Sequence, residues 1–116
     1  MRDVSYFTKI YIATNSVDFR KQAHGLALVV DHALGLKSLT DRSLFVFTNR
    51  SRQAVKMLYW ERNGYAMWWK TLEKDKFRWP SGSSSGRMEV APRELKWLLE
   101  GIDISRLTPH KNLHIP

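Results

Sequence analysis

The side chains best suited to chemistry are concentrated between Arg50 and Pro80, in the segment "RSRQAVKMLYWERNGYAMWWKTLEKDKFRWP". This segment holds eight of the nineteen Lys and Arg residues, three acids, and four of the five tryptophans. Positive side chains bind the phosphate groups of nucleic acids and gain affinity because counterions are released. This contribution does not depend on the base sequence. Aromatic rings beside them can stack on exposed bases. The segment therefore predicts a surface that contacts nucleic acid or another acidic partner.

The predicted contacts with DNA follow from this clustering. The primary candidates for phosphate contacts are Arg50, Arg52, Lys56, Lys70, Lys74, Lys76 and Arg78. Arg20 and Lys21 are secondary candidates, and Trp79 is the best candidate for stacking on a base. Two plainer interpretations stay open. The cations could form a solvated face, and the other three tryptophans of the segment could belong to the core or to an oligomer interface.

Residues for metal-dependent catalysis are sparse. The eleven acids are scattered, and Asp18, Asp31 and Glu94 suit plainer roles as helix caps or solvated helix residues. His110 and His114 have the spacing of a metal-binding helix, but prolines bracket them and no third ligand is near. The sequence has no cysteine, which excludes thiolate metal sites, disulfides and cysteine nucleophiles. We therefore expect no enzymatic activity, metal or cofactor; a nuclease with dispersed acids is kept as a third hypothesis.

Length and charge limit the class of protein. A chain of 116 residues is expected to form one domain, and its net charge of +8 favours a polyanionic partner. The N-terminal residues lack the apolar region of a secretory signal, and the longest apolar run, "GLALVV", is too short to span a membrane. We expect a cytoplasmic protein that is not associated with a membrane.

The first half of the chain predicts a strand, a helix and a second strand. Residues 9–14 form a β-branched and aromatic run that is typical of a strand. Ser16 or Asp18 is predicted to cap a helix over residues 19–34, which has one apolar stripe and ends at Gly35. Residues 44–48, "LFVFT", are continuously apolar, as expected for a strand that is buried on both faces.

A β-hairpin is the strongest local prediction. Asn63 and Gly64 suit a two-residue type I′ turn between residues 54–60 and 65–72, a register that sets Tyr59 opposite Trp68. Both faces of this hairpin are mostly apolar, whereas a half-solvated hairpin has one polar face. One face must pack on helices, and the other needs a cover from the same chain, a second copy or a ligand.

The last part of the chain predicts an edge strand and a helix. Residues 87–90 suit the strand, Pro92 and Glu94 suit the first turn of the helix, and Gly101 can end it. Residues 105–116 are predicted to be an irregular C-terminal tail. The order β-α-β-β-β-(β)-α predicts a single α+β domain over residues 1–104, with a mainly antiparallel sheet and a central Asn-Gly hairpin packed by two helices.

The residues of the basic segment also resemble a known family, the small TnpB-type accessory proteins of the insertion-sequence-66 transposon family. The matching residues are Phe47, Asn49 and Arg50; Lys56, Leu58, Tyr59 and Trp60; Asn63 and Gly64; Trp68, Lys70, Leu72 and Glu73; and Phe77, Trp79 and Pro80. The segments "VDFRKQAHGLALVV" and "LKWLLEGIDI" match as well. Phe19, where the family often has Met, and the loop "SGSSSG" depart from the pattern.

The resemblance implies a mobile-element protein that acts beside a separate, larger transposase, to which the family assigns the catalytic chemistry. The leading hypothesis is therefore a non-catalytic accessory protein that binds DNA within a transposition complex. The alternative is a protein–protein adaptor or homodimeric module that contacts the co-encoded transposase without touching nucleic acid.

Overall fold

A five-stranded mixed sheet forms the centre of the computed structural model, which describes residues 2–80 and 83–104. Its strands are β1 (Lys9–Ala13), β2 (Ser43–Thr48), β3 (Ala54–Glu61), β4 (Gly64–Thr71) and β5 (Arg87–Val90). They lie in the order β4-β3-β2-β1-β5; β1 and β2 are parallel, and the other neighbours are antiparallel. The predicted α+β domain with a mainly antiparallel sheet is confirmed. The predicted tail, residues 105–116, lies outside the described residues.

Two helices pack on this sheet. The first, α1 (Ala23–Leu28), continues as a π-helical turn (Val29–Ala33), and Gly35 follows with a φ of 67°. The second, α2 (Pro92–Leu99), begins where the Glu94 carboxylate accepts the Ala91 backbone N–H at 2.7 Å, as its predicted first turn requires. Within residues 2–80 and 83–104, neither helix is long and apolar enough to cross a bilayer.

The predicted start of the first helix is wrong. The chain enters α1 at Ala23 instead of directly after Asp18. Asp18 does not cap this helix: its carboxylate accepts the Arg20 N–H at 2.9 Å, and its carbonyl accepts the Lys21 N–H at 3.0 Å. This turn leaves the carbonyls of Phe19 and Lys21 outside the helix, where the Lys56 ammonium binds both of them.

The predicted hairpin is present, but its turn lies one residue earlier than expected. Arg62 and Asn63 form the turn, Gly64 pairs with Glu61 as the first residue of β4, and Tyr59 pairs with Ala66 instead of Trp68. Arg62 supplies the positive backbone angle with a φ of 58°. The pairing partners shift by two residues, and this shift leaves every side chain on its predicted face because strand side chains alternate.

The observed register brings two aromatic side chains together across the hairpin. It sets Trp60 directly opposite Tyr65, with their ring centroids 5.1 Å apart in an edge-to-face arrangement. Aromatic pairs of this kind stabilise a sheet by about 0.2–1 kcal/mol. The observed pairing thus keeps an aromatic pair across the strands although it departs from the register that the Asn-Gly turn predicts.

Both faces of the hairpin pack against other parts of the same chain, although Trp69 of β4 stays 53% exposed. On one face, Val55 and Met57 share a core with Leu95 and Leu98 of α2. The core of the other face contains Leu58 of β3 together with residues of β2, of α1 and of the turn that follows it. Every residue of β2, between these two cores, is buried, as its apolar sequence predicts. Of the three covers that the sequence allowed for the second face, the structure shows the same chain, through α1.

Candidate nucleic-acid interface

The loop between β2 and β3, residues 49–53, is held in a fixed shape by Asn49. Its side-chain oxygen accepts the backbone N–H groups of Gln53 and Ala54, at 3.1 and 3.2 Å. Its carbonyl accepts the Arg52 N–H at 3.0 Å, and Arg52 adopts a φ of 60°. These bonds close a tight turn whose exposed residues include Arg50 and Arg52. The two cations are therefore presented from an ordered loop.

The segment after β4 is joined to the same loop. The Phe77 N–H donates to the Arg52 carbonyl at 2.8 Å, and Phe77 itself is buried. Trp79, two residues further on, is also buried, so the residues next to these two rings, Lys76 and Arg78, are exposed. Burial of alternate rings therefore directs alternate cations to the surface beside the loop.

Four cations meet in one groove as a result. The "basic groove", with a volume of about 670 Å³, is lined by Arg50, Ser51, Arg52, Lys76, Phe77, Arg78, Trp79, Pro80 and Asp103. None of its four cations forms an ion pair with another residue in the described part of the chain. Asp103 is the one acid among these lining residues. The groove thus collects four cations from two distant segments, and two of them, Lys76 and Arg78, also line a neighbouring groove with Asp75 and Glu100.

A second groove adjoins the first, with Arg50 and Ser51 common to both. It has a volume of about 820 Å³ and is also lined by Phe19 and Arg20. The Arg20 guanidinium is paired with the Asp18 carboxylate at 2.6 Å, and its hydrogen bond to that carboxylate lowers the pKa of Asp18 to about 2. Arg20 is close to the basic groove, but its charge is already balanced.

Lys56 does not reach the surface, contrary to its predicted role as a phosphate contact. It is fully buried, and its ammonium donates to the carbonyls of Phe19 and Lys21 at 2.8 and 2.9 Å. The same ammonium lies 4.4 Å from the Trp69 ring centroid. Burial lowers its pKa. Lys56 sits at a strand position with buried neighbours on both sides, so its charge is used to hold residues 19–21 on the sheet.

Trp79 is likewise unavailable for stacking. Its ring belongs to the core, with 6% of the residue exposed, and its indole N–H donates to the Ala13 carbonyl at 2.8 Å. The exposed tryptophan is Trp69, which is 53% exposed, while Trp60 and Trp68 are half-buried. Nothing in the sequence separates Trp69 from its neighbours, because all of them lie in one apolar hairpin.

The remaining predicted contacts lie apart from the basic groove. Lys70 is exposed on the edge strand β4, and Lys74 is exposed in the turn that follows. Lys21 is exposed and lines a mainly apolar cavity together with Val29 and Leu34. The structure brings together four of the predicted cations and leaves these three dispersed.

Comparison with known proteins decides the family. A model described as "IS66 Orf2 like protein" matches residues 8–109. The chain belongs to this family. The uncharacterized protein y4hO of Sinorhizobium fredii is 37% identical over 95 residues, covering 82% of this chain and 81% of its own length. The uncharacterized protein y4jC of the same organism is 32% identical over 99 residues, covering 85% and 83%. No solved structure matches the chain.

Membership of the IS66 Orf2-like family makes this chain an accessory protein of insertion-sequence transposition and confirms the resemblance seen in its motifs. The basic groove contains residues from two of those motifs: Arg50 from the step after β2, and Trp79 with Pro80 from the segment after β4. Within residues 2–80 and 83–104, no three or more His, Asp or Glu side chains are grouped so that they could hold a metal ion.

The opposite end of the hairpin in this IS66 Orf2-like protein has a different electrostatic character. A smaller groove there is lined by three arginines, but also by Glu61 and Asp41. Arg2 forms an ion pair with Glu61, and the guanidinium of Arg42 lies 4.7 Å from the Tyr6 ring centroid. Its cations are therefore partly engaged within the protein, unlike those of the basic groove.

Proposed function

We propose that this IS66 Orf2-like protein is a non-catalytic accessory protein that binds DNA through the basic groove during transposition. One observation carries the proposal: Arg50, Arg52, Lys76 and Arg78 line one groove although they come from two separate segments. The cations gather on loops at the end of the hairpin, and not on the faces of its strands. Binding of this kind would be exercised at the bacterial nucleoid.

The chemistry of the groove supports phosphate binding. Three of its four cations are arginines, whose planar guanidinium matches the oxygen geometry of a phosphate better than an ammonium does. The ordered loop at Asn49 fixes the backbone of two of them, which reduces the entropy lost on binding. Four phosphate contacts would give a log–log salt slope of roughly −3 to −4 on duplex DNA.

Fluorescence anisotropy across a range of salt concentrations tests the proposal. We expect the double variant Arg50→Gln/Arg78→Gln to bind duplex DNA more weakly and to reduce the magnitude of the slope by about 2, since each lost contact removes about one unit. The matched control is Lys37→Gln/Arg62→Gln, which removes the same charge at exposed positions near the other end of the hairpin. A slope near zero for the unmodified protein, or an equal loss in the control, would contradict DNA binding through this groove.

The non-catalytic part of the proposal has its own test. The purified protein is incubated with supercoiled DNA and Mg²⁺ or Mn²⁺, and we expect the DNA to stay intact. Nicking or cleavage that co-purifies with the protein through successive columns would count against it and favour the third hypothesis, a nuclease.

The exposed edge of β4 favours a second candidate, an adaptor that contacts the co-encoded transposase or a second copy. β4 is eight residues long and lies at one end of the sheet, so one side of its backbone has no neighbouring strand among the described residues. Such an edge can accept a strand from a partner. Light scattering and a pull-down with the transposase test this candidate. A strict monomer without affinity for the transposase would rule it out.

A further inference from the structure

Trp69 differs from the other tryptophans in its exposure. It is 53% exposed, whereas Trp79 is buried and the remaining tryptophans are half-buried. Burying an indole is strongly favourable, because a large aromatic side chain contributes much of the energy of a core. A tryptophan that is 53% exposed therefore presents aromatic surface that a ligand can contact.

The indole of Trp69 is nevertheless held in place. The Lys56 ammonium lies 4.4 Å from its ring centroid, and that ammonium is fixed in turn by two backbone carbonyls. Phe19 packs edge-to-face against it, with centroids 6.1 Å apart and ring planes at 89°. These contacts fix the ring while much of its surface stays open. A fixed aromatic surface binds with less loss of side-chain entropy than a mobile one.

Trp69 is also continuous with the cationic surface. Phe19, its ring partner, lines the groove that contains Arg20 and Arg50. Arg50 is shared with the basic groove. The path from Trp69 past Phe19 to Arg50 thus joins an exposed ring to the cations of the basic groove, and it passes the Asp18–Arg20 ion pair. The arrangement of a stacking ring beside a positively charged groove is typical of proteins that bind single-stranded nucleic acid.

We infer that Trp69 stacks on an unpaired base of single-stranded DNA whose phosphates lie along Arg50 and the basic groove; this inference rests on the DNA binding proposed above. The bases of a duplex are stacked on one another and offer only their edges in the grooves, so an exposed indole face requires an unpaired base. The site therefore prefers single-stranded over duplex DNA of equal length.

Stacking is tested by anisotropy with a short oligothymidylate and with a duplex of the same length. Trp69→Leu keeps an apolar side chain over Lys56 but removes the ring, and we expect it to bind the oligothymidylate about tenfold more weakly. Trp69→Phe should bind the oligothymidylate with an affinity between those of the unmodified protein and Trp69→Leu. The affinity of both variants for the duplex should not change. Quenching of tryptophan fluorescence by the oligothymidylate should decrease sharply in both variants.

An abasic oligonucleotide separates stacking from phosphate contact. The unmodified protein should bind this abasic strand about as weakly as Trp69→Leu binds the oligothymidylate, and the variant should not distinguish the two strands. Leu39→Ala, which removes another strongly exposed apolar side chain, is the control and should bind like the unmodified protein.

The outcomes distinguish the two proposals. If duplex binding depends on salt and on Arg50 but Trp69→Leu binds both DNA probes normally, the stacking inference is wrong and the proposed function stands. If neither probe binds, the proposed function fails and the inference fails with it. Tighter binding of an oligouridylate than of the oligothymidylate would overturn the assignment to DNA.

Discussion

Lys56 and Arg52 belong to the same basic segment, yet the fold gives them opposite environments. Lys56 lies inside β3, is fully buried, and donates to two backbone carbonyls of the chain. Arg52 lies in the loop before β3, is exposed, and lines the basic groove. The strand interior turns a cation into a structural donor, whereas the loop leaves it available for a partner.

The same contrast separates Trp79 from Arg78. Adjacent in the chain, they differ because the ring of Trp79 is anchored in the core and the side chain of Arg78 is exposed. Residue type alone therefore does not identify a contact residue in this segment. We therefore expect interior residues to control stability and loop residues to control binding.

The largest effect on stability is expected from Lys56→Met. The substitution keeps the aliphatic length of the side chain but leaves two partly buried carbonyls without their charged donor, so the free energy of unfolding should decrease by about 2–4 kcal/mol. Urea denaturation measures this loss. Arg52→Gln is the matched control, and a change within about 0.5 kcal/mol is expected because this side chain is exposed. Equal decreases of the unfolding free energy in Lys56→Met and Arg52→Gln would show that the buried cation is no more important for stability than the exposed one.

Trp79→Phe should have the next largest effect. The variant keeps an aromatic ring in the core but removes the indole N–H that binds the Ala13 carbonyl at 2.8 Å. An unpaired buried carbonyl and the smaller ring should cost about 1–3 kcal/mol of unfolding free energy. Thermal unfolding followed by circular dichroism checks this. Trp69→Phe serves as the control at an exposed ring, and a greater loss there would be inconsistent with a buried role for Trp79.

Asn49→Ala should affect both the stability of the fold and the affinity for DNA. Its side chain accepts two backbone N–H groups, so its loss should cost about 1 kcal/mol of stability and disorder the loop that carries Arg50 and Arg52. DNA affinity should therefore decrease although no charge is removed. Asn15→Ala, at an exposed asparagine, is the control for both measurements. Unchanged affinity in a folded Asn49→Ala variant would show that the loop shape does not matter for binding.

The smallest effect concerns the Asp18–Arg20 pair beside Arg50. The hydrogen bond from the Arg20 side chain lowers the pKa of the Asp18 carboxyl to about 2, from an ordinary value of 3.8. Because the folded pKa is lowered, the contribution of the pair to stability is present above pH 3.8 and is lost as pH decreases through about 2. Carboxyl carbon NMR measures this titration, and Arg20→Gln should raise the pKa of Asp18. A pKa that the variant leaves unchanged would exclude Arg20 as the cause.

Much of the fold follows from local patterns. The continuous apolar run of β2 predicted a strand buried on both faces, and Pro92 with Glu94 marked the start of α2. Alternation placed the hairpin residues on their correct faces even though the predicted turn was displaced. The start of α1 was predicted wrongly, because Asp18 closes a turn on Arg20 and Lys21 instead of capping the helix. A lysine distant in sequence then binds the carbonyls of residues 19 and 21 that this turn leaves outside the helix.

For the candidate site, the sequence by itself determined which segment is basic, that it contains a two-faced apolar hairpin, and that its motifs resemble those of the IS66 accessory family. Only the tertiary structure decided which of its cations are available, because burial depends on contacts between distant segments. Lys56 is withdrawn by residues 19–21, whereas Arg50 and Arg78 are brought together by the hydrogen bond between Phe77 and Arg52. Charge is a property of a residue, but access to that charge is a property of the fold.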